Sequence, residues 1–179
     1  MKRLFLLRHA KASRDTPGID DINRCLAERG RADAVRIGRF MREEVYIPAL
    51  VLCSTSARTH ETLALLLPEL DARPIVQYRA DLYLARPETI LTAVRHAREA
   101  AGSLMVVAHN PGIEECARGL VREPADRKLR KSYQAMTDKF PTGALAVIDF
   151  DVQQWTEIGP GEGELELFVR PKDLRVDQA

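Results

Sequence analysis

Charge of one sign is missing from this sequence: 27 Lys and Arg stand against 26 Asp and Glu, a formal net charge of +1. No global field therefore selects nucleic acid or a membrane surface as partner. Long apolar runs are missing too, and no stretch approaches the length of a membrane-spanning helix. Met1-Lys2-Arg3 looks like the basic end of a secretory signal, but the apolar run after it is too short for the rest of one. A cytoplasmic protein is expected. Cys25, Cys53 and Cys116 are odd in number and far apart, a spacing that offers neither zinc ligands nor a disulfide framework. Cys53, which follows an apolar run, reads as a buried small hydrophobe. His9, His60, His96 and His109 form no H-x-H or H-E-x-x-H pattern, so no metal and no other cofactor is expected. There are no internal repeats and no low-complexity segment.

What is present is an ordinary globular balance: 179 residues, 45% hydrophobic and 30% charged. That suits one domain over residues 1–179, with a polar tail from about 171. Leu4 to Leu7 form an apolar run that fits a strand buried on both faces, and it stops at Arg8-His9. After the polar loop Arg14 to Asp21, an amphipathic helix is expected over about Asn23 to Val45, with Ala34, Ile37, Met41 and Val45 on its apolar face. Gly30 is a candidate for its true start. Ala49 to Cys53 reads as the second strand. The next helix is expected from the caps Ser54, Thr55 and Ser56 to about Leu67. Pro74 to Tyr78 is a third strand, Pro87 to about Ala101 a helix, Ser103 to Ala108 a fourth strand, and Ile113 to Leu120 a further helix. Glu123 to Lys139 is polar and basic. Arg127, Lys128, Arg130 and Lys131 there read first as a solvated face, and second as a lid or docking surface. Phe140 to Gly143 is a turn. Ala144 to Phe150 and Gln154 to Ile158 are expected to pair as an antiparallel hairpin, and Leu165 to Val169 to add a short strand. The β-α-β-α order predicts an α/β three-layer sandwich: a mainly parallel central sheet with helices on both faces.

In such a sheet the carboxyl ends of the strands share one edge, and ligands bind there. Arg8-His9, Ser54 with Arg58, and His109 all fall at strand ends. Arg58 also sits in a first helical turn, where the macrodipole disfavours a cation unless an anion is near. Guanidinium forks match phosphate oxygens, and a neutral, oriented imidazole can attack phosphorus. The residues therefore point to phosphoryl transfer through a histidine, with side-chain cations in place of a metal.

Arg8-His9-Ala10, the stretch S-x-x-x-R-T-x-E-T from Ser54 to Thr62, and V-V-A-H-N-P-G around His109 together resemble the histidine phosphatase superfamily, also called phosphoglycerate mutase-like. The family signature at the end of strand one is R-H-G, and Ala10 replaces its glycine. The R-H-A variant, the small size and the late F-P-T-G-A are similar to the SixA-type phosphohistidine phosphatases. The resemblance covers Arg3 to about Arg170. It implies a phosphoglycerate mutase-like fold, His9 as the nucleophile that carries the phosphoryl group, and Arg8, Arg58 and His109 as phosphate-binding residues. Lys11 and Thr142 are added to the pocket lining from their placement.

The activity implied is a metal-independent phosphatase acting on phosphohistidine in proteins, in a monomer. The alternative is a phosphatase or mutase for small-molecule phosphate esters, and a non-catalytic phospho-ligand binder is a third reading. Mutases and many ester phosphatases of the family use a carboxylate after strand three to protonate the leaving oxygen. Here Asp81 and Glu88 are available but stand outside that context, and Ala12 replaces the serine or threonine of mutases.

Overall fold

Leu4, Phe5, Leu6 and Leu7 are shut off from solvent, and they alternate between two cores. Leu4 and Leu6 face one, Phe5 and Leu7 the other. Period-two alternation with both faces apolar is what a central strand requires. That strand, β1 (Lys2–Arg8), lies between β4 (Ser103–Ala108), parallel to it, and β5 (Leu145–Phe150), antiparallel to it. With β2 (Leu50–Ser54), β3 (Ile75–Arg79) and β6 (Glu164–Val169) the sheet has six strands in the order β3-β2-β4-β1-β5-β6. β3, β2, β4 and β1 pair in parallel, and β5 alone runs against the rest, antiparallel to both β1 and β6. The computed structural model describes residues 1–14, 17–98 and 100–174.

Helices cover both faces. On one lie α1 (Glu28–Glu43) and α2 (Ala57–Leu66), which contribute Ile37, Met41, Leu63 and Leu66. On the other lie α3 (Pro87–Arg95), α4 (Gly112–Leu120) and α5 (Arg127–Asp138), with Ile90, Val94, Ile113, Leu120 and Met136. The expected three-layer sandwich is the observed one. Among the described residues no helix is long and apolar enough to cross a membrane.

Several local expectations are corrected. Helix α1 begins at Glu28, before Gly30, and ends before Val45, which is 75% exposed with φ +59°. Gly30 sits in the first turn because a Cβ there would lie 2.1 Å from the carbonyl oxygen of Lys11. Its absence lets α1 press against the chain just after His9, where Ala27 N–H also donates to Lys11 O at 2.9 Å. Helix α3 stops at Arg95, and the His96 ring nitrogen Nδ1 lies 2.8 Å from the carbonyl of Thr92 in the last turn.

The expected strand at Gln154 to Ile158 does not form. Trp155–Glu157 is a single 3-10 turn that buries Trp155, whose indole N–H donates to Ala101 O at 2.8 Å, and Ile158. Apolar residues three apart fit that turn and not a period-two strand. Beside β1, β5 pairs antiparallel with β6 on its other side. Part of the expected loop at Arg14 to Asp21, and the end of the tail beyond 174, lie outside the described residues.

Candidate active site

His9 follows β1 directly, and its backbone N–H donates to Ala108 O at 3.1 Å. Its Nδ1 lies 2.7 Å from the carbonyl oxygen of Ala10. A carbonyl only accepts, so Nδ1 carries the hydrogen and the lone pair sits on Nε2. The residue is 7% exposed. Burial, reinforced by the positive fields of His109, Arg58 and Arg8, pushes its pKa down to about 3, which keeps the imidazole neutral.

His109 follows β4, which pairs with β1 in register, so Arg8 and Ala108 are partners and the two histidines leave the sheet side by side. Their ring centroids are 5.2 Å apart. His109 Nε2 lies 2.8 Å from the Ser54 hydroxyl at the end of β2. Burial first, then Arg58 and Arg8, lower its pKa to about 4.

Arg58 lies in the first turn of α2, which is capped by Ser56 accepting from Thr59 N–H at 3.4 Å. It is 2% exposed. The stretch around it is a set of braces. The Thr59 hydroxyl donates to Ser54 O at 2.7 Å, and Glu61 accepts the Leu26 N–H at 3.0 Å. Thr62 accepts the Ala10 N–H at 3.0 Å. These bonds fix α2 against the segments that carry His9 and Ser54. On the other side Arg8 donates from Nη1 to Phe140 O at 2.9 Å, and Asn110 Nδ2 donates to the same oxygen at 3.0 Å. Gly143, at φ +74°, turns the chain so that its N–H reaches Arg8 O and His9 O at 3.1 and 3.0 Å. Non-glycine residues seldom adopt that φ.

The four expected residues thus converge, and they leave polar atoms unanswered. Arg8 Nε, Arg58 Nε and His109 Nδ1 are all buried with no hydrogen-bond partner. The Ser54 hydroxyl can donate to Nε2, and that arrangement puts the hydrogen on His109 Nδ1 and makes all three orphans donors. An orphaned buried donor costs about 1–3 kcal/mol. Three such donors on Arg8, Arg58 and His109 suit a compact anion.

Lys11 and Thr142 stand next door. They line a cleft of about 210 Å³ with Arg29, Asp33, Arg170 and Lys172. Asp81 is held in an ion pair with Arg79 at 2.6 Å, which lowers its pKa. Glu88 lies in the first turn of α3. The basic residues Arg127, Lys128, Arg130 and Lys131 occupy the exposed start of α5, whose cap Asp126 accepts from Lys128 and Leu129 N–H. Among the described residues no group of three or more His, Cys, Asp or Glu could hold a metal ion.

Two residues at the site were not foreseen. Asp21 accepts from Arg58 Nη2 at 2.9 Å and from the Tyr83 hydroxyl at 2.6 Å, and its carbonyl accepts from Arg58 Nη1 at 2.7 Å. Tyr83 sets its ring edge-on to His109, with centroids 5.5 Å apart. Asp21 lies in a three-residue 3-10 turn and Tyr83 just after another, elements too short to carry a periodic signal. The only hint in the sequence was that a first-turn arginine needs an anionic neighbour.

The sequence model of the histidine phosphatase superfamily (branch 1) matches residues 4–82, which include Arg8, His9 and Arg58. An uncharacterized protein of Mycobacterium leprae is 31% identical over 93% of this chain and 100% of its own length. A candidate phosphohistidine phosphatase SixA from Agrobacterium tumefaciens superposes with a TM-score of 0.78 at 32% identity, covering 95% of this chain and 98% of that one. This chain belongs to the histidine phosphatase superfamily. A second candidate SixA, from Nakamurella multipartitia, gives a TM-score of 0.78 at 29% identity over 95% of this chain and 96% of its own. The fold expected from the R-H-A and H-N-P-G motifs is therefore the observed one, and the superfamily makes the chain a phosphatase-type hydrolase.

Proposed function

We propose that this histidine phosphatase removes the phosphoryl group from phosphohistidine in proteins, through a covalent phosphohistidine on His9. The reading rests on one observation: His9 Nε2 keeps its lone pair beside the His109 ring, 5.2 Å away, and Arg8, Arg58 and His109 each keep a buried nitrogen without a partner. In this mechanism Arg8, Arg58 and His109 hold the equatorial oxygens, and His9 Nε2 attacks phosphorus opposite the leaving group. Water then hydrolyses the N–P bond on His9.

Substrate choice follows from the carboxylates. An alkoxide needs a proton from a placed acid. Asp81 and Asp21 both have lowered pKa values, the first chiefly through its hydrogen bond with Arg79, the second chiefly through the Tyr83 hydroxyl and then Arg58. Ionised carboxylates have no proton to give. A histidine leaving group needs none, because the pKa of imidazole is near neutral, ~6.5. The likeness to the candidate SixA of Agrobacterium tumefaciens supports the same choice.

The test is a substrate panel. A phosphohistidine peptide is expected to show kcat/KM at least ~100-fold above a phosphoserine peptide, the low end of what one general acid supplies. An acid-labile, base-stable phosphoryl label is expected on His9, and His9→Ala is expected to be inactive. Equal rates on both peptides would favour the ester-phosphatase alternative, and an active His9→Ala would remove the nucleophile assignment.

A further inference from the structure

We propose that Asp21 is a specificity-determining residue that receives the substrate's imidazole, accepting a hydrogen bond from its non-phosphorylated ring nitrogen as the P–N bond breaks. This rests on the phosphohistidine reading above.

The placement is the argument. His9, Arg58 and His109 are 7%, 2% and 2% exposed and form the floor of the site. Asp21 belongs to a short 3-10 turn, Asp21–Asn23, and its side chain is 44% exposed, so it stands at the rim. Its Oδ2 shares one arginine with the phosphate cradle, since Arg58 Nη2 is 2.9 Å away. A group attached to a phosphoryl resting on Arg58 therefore emerges beside this carboxylate. Asp21 is the carboxylate bonded to Arg58 among the described residues. Its neighbours are Arg58, Arg24 at 3.2 Å from Oδ1, and the Tyr83 hydroxyl at 2.6 Å from Oδ2. A carboxylate has about four acceptor sites, so these three leave room for one more donor.

The chemistry fits an imidazole and fits an ester poorly. In its reactive form the phosphorylated ring carries a proton on its second nitrogen and is cationic. As His9 Nε2 forms its bond to phosphorus, the P–N electron pair returns to the leaving nitrogen. The substrate departs as a neutral imidazole that keeps the proton it brought. No proton crosses to or from the enzyme in this step. An ionised carboxylate stabilises the cationic reactive form through a charge-assisted N–H···O bond. The same carboxylate has nothing to donate to an alkoxide and repels it. Tyr83 keeps Asp21 aimed, and its ring, edge-on to His109, walls the same side of the site.

Asp21 also steadies Arg58, so loss of activity alone decides nothing, and the readout must be a ratio. Asp21→Asn and Asp21→Ala are compared with the parent on two substrates, phosphoimidazole and an aryl phosphate whose leaving group has no N–H. The ratio of kcat/KM, phosphoimidazole over aryl phosphate, is expected to fall about 10- to 100-fold in both variants, the range for a hydrogen bond to a charged group. A ratio unchanged within about threefold, with both substrates slowed alike, would mean that Asp21 only positions Arg58, and the inference fails. A parent that cleaves aryl phosphate and not phosphoimidazole would overturn the phosphohistidine reading itself, a separate and distinguishable result.

Discussion

The Ser54 hydroxyl lies 2.8 Å from Nε2 of His109, and this bond leaves Nδ1 as the nitrogen of that ring without a partner. Ser54 is itself held, because its carbonyl accepts the Thr59 hydroxyl at 2.7 Å. A serine that ends β2 thus holds a histidine that follows β4, across the register in which Cys53 pairs with Val107.

Ser54→Ala removes the partner of a buried ring nitrogen and frees the ring to take either tautomer. A lost bond of about 1–3 kcal/mol corresponds to a fall of roughly 5- to 150-fold in kcat/KM. The fold should survive, since the backbone carbonyl of residue 54 still receives Thr59. Ser54→Thr, which keeps a hydroxyl, should recover part of the loss. Steady-state kinetics on an aryl phosphate with a thermal melt of each variant checks this, and an Ala variant with parent kinetics would contradict it.

Arg58→Lys keeps the charge and loses the planar fork. In the parent, Nη1 and Nη2 are bonded to Asp21, which leaves Nε as the donor without a partner. A lysine offers one nitrogen for both tasks. The expected loss of transition-state stabilisation is about 2–4 kcal/mol, as for other charge-stabilising donors, read as kcat/KM. A variant within threefold of the parent would place Arg58 outside the reacting geometry.

Strand ends were the legible part of this molecule. Leu4 to Leu7, Ala49 to Cys53 and Ser103 to Ala108 are apolar runs with sharp polar stops, so both the central strands and the residues after them, His9, Ser54 and His109, could be read in advance. Arg58 was legible through its awkward place in a first helical turn. Asp21 and Tyr83 were not, because a contact between residues 62 positions apart, at two short 3-10 turns, leaves no trace in local periodicity. The segment Gln154 to Ile158 was misread for a related reason: Trp155 and Ile158 look like strand residues until burial shows them packed from a 3-10 turn.

Gly30→Ala should damage the site from outside it. The new methyl would lie 2.1 Å from Lys11 O, a distance no rotamer relieves, so α1 or the Ala10–Lys11 backbone must move. Overpacking of this kind costs about 1–3 kcal/mol. The displaced backbone is bonded to Thr62 through the Ala10 N–H and carries the carbonyl that holds His9 Nδ1. Stability by denaturant titration and kcat should therefore both fall. Gly102→Ala is the control, because a Cβ there meets nothing within 4 Å. Equal behaviour of the two variants would disconnect α1 from the site.

Acid should destabilise this protein through two buried histidines, His9 and His109. Burial places the folded-state pKa values of His9 and His109 at about 3 and about 4, against ~6.5 for a histidine in the unfolded chain. The folded values are the lower ones, so between pH 6.5 and 4 the unfolded chain binds protons that the folded chain refuses. Stability is then whole above about pH 6.5 and falls as the pH drops through that window. Each refused proton contributes a slope of up to about 1.4 kcal/mol per pH unit, and two histidines up to about 2.7. Measuring denaturant unfolding between pH 7 and 4.5 keeps most carboxylate titration out of the comparison. His9→Asn, neutral at every pH, should lose about half of the parent's slope in that range. Parent and variant with the same slope would show that the His9 ring is protonated in the folded protein near pH 6, and a protonated His9 has no lone pair with which to attack phosphorus.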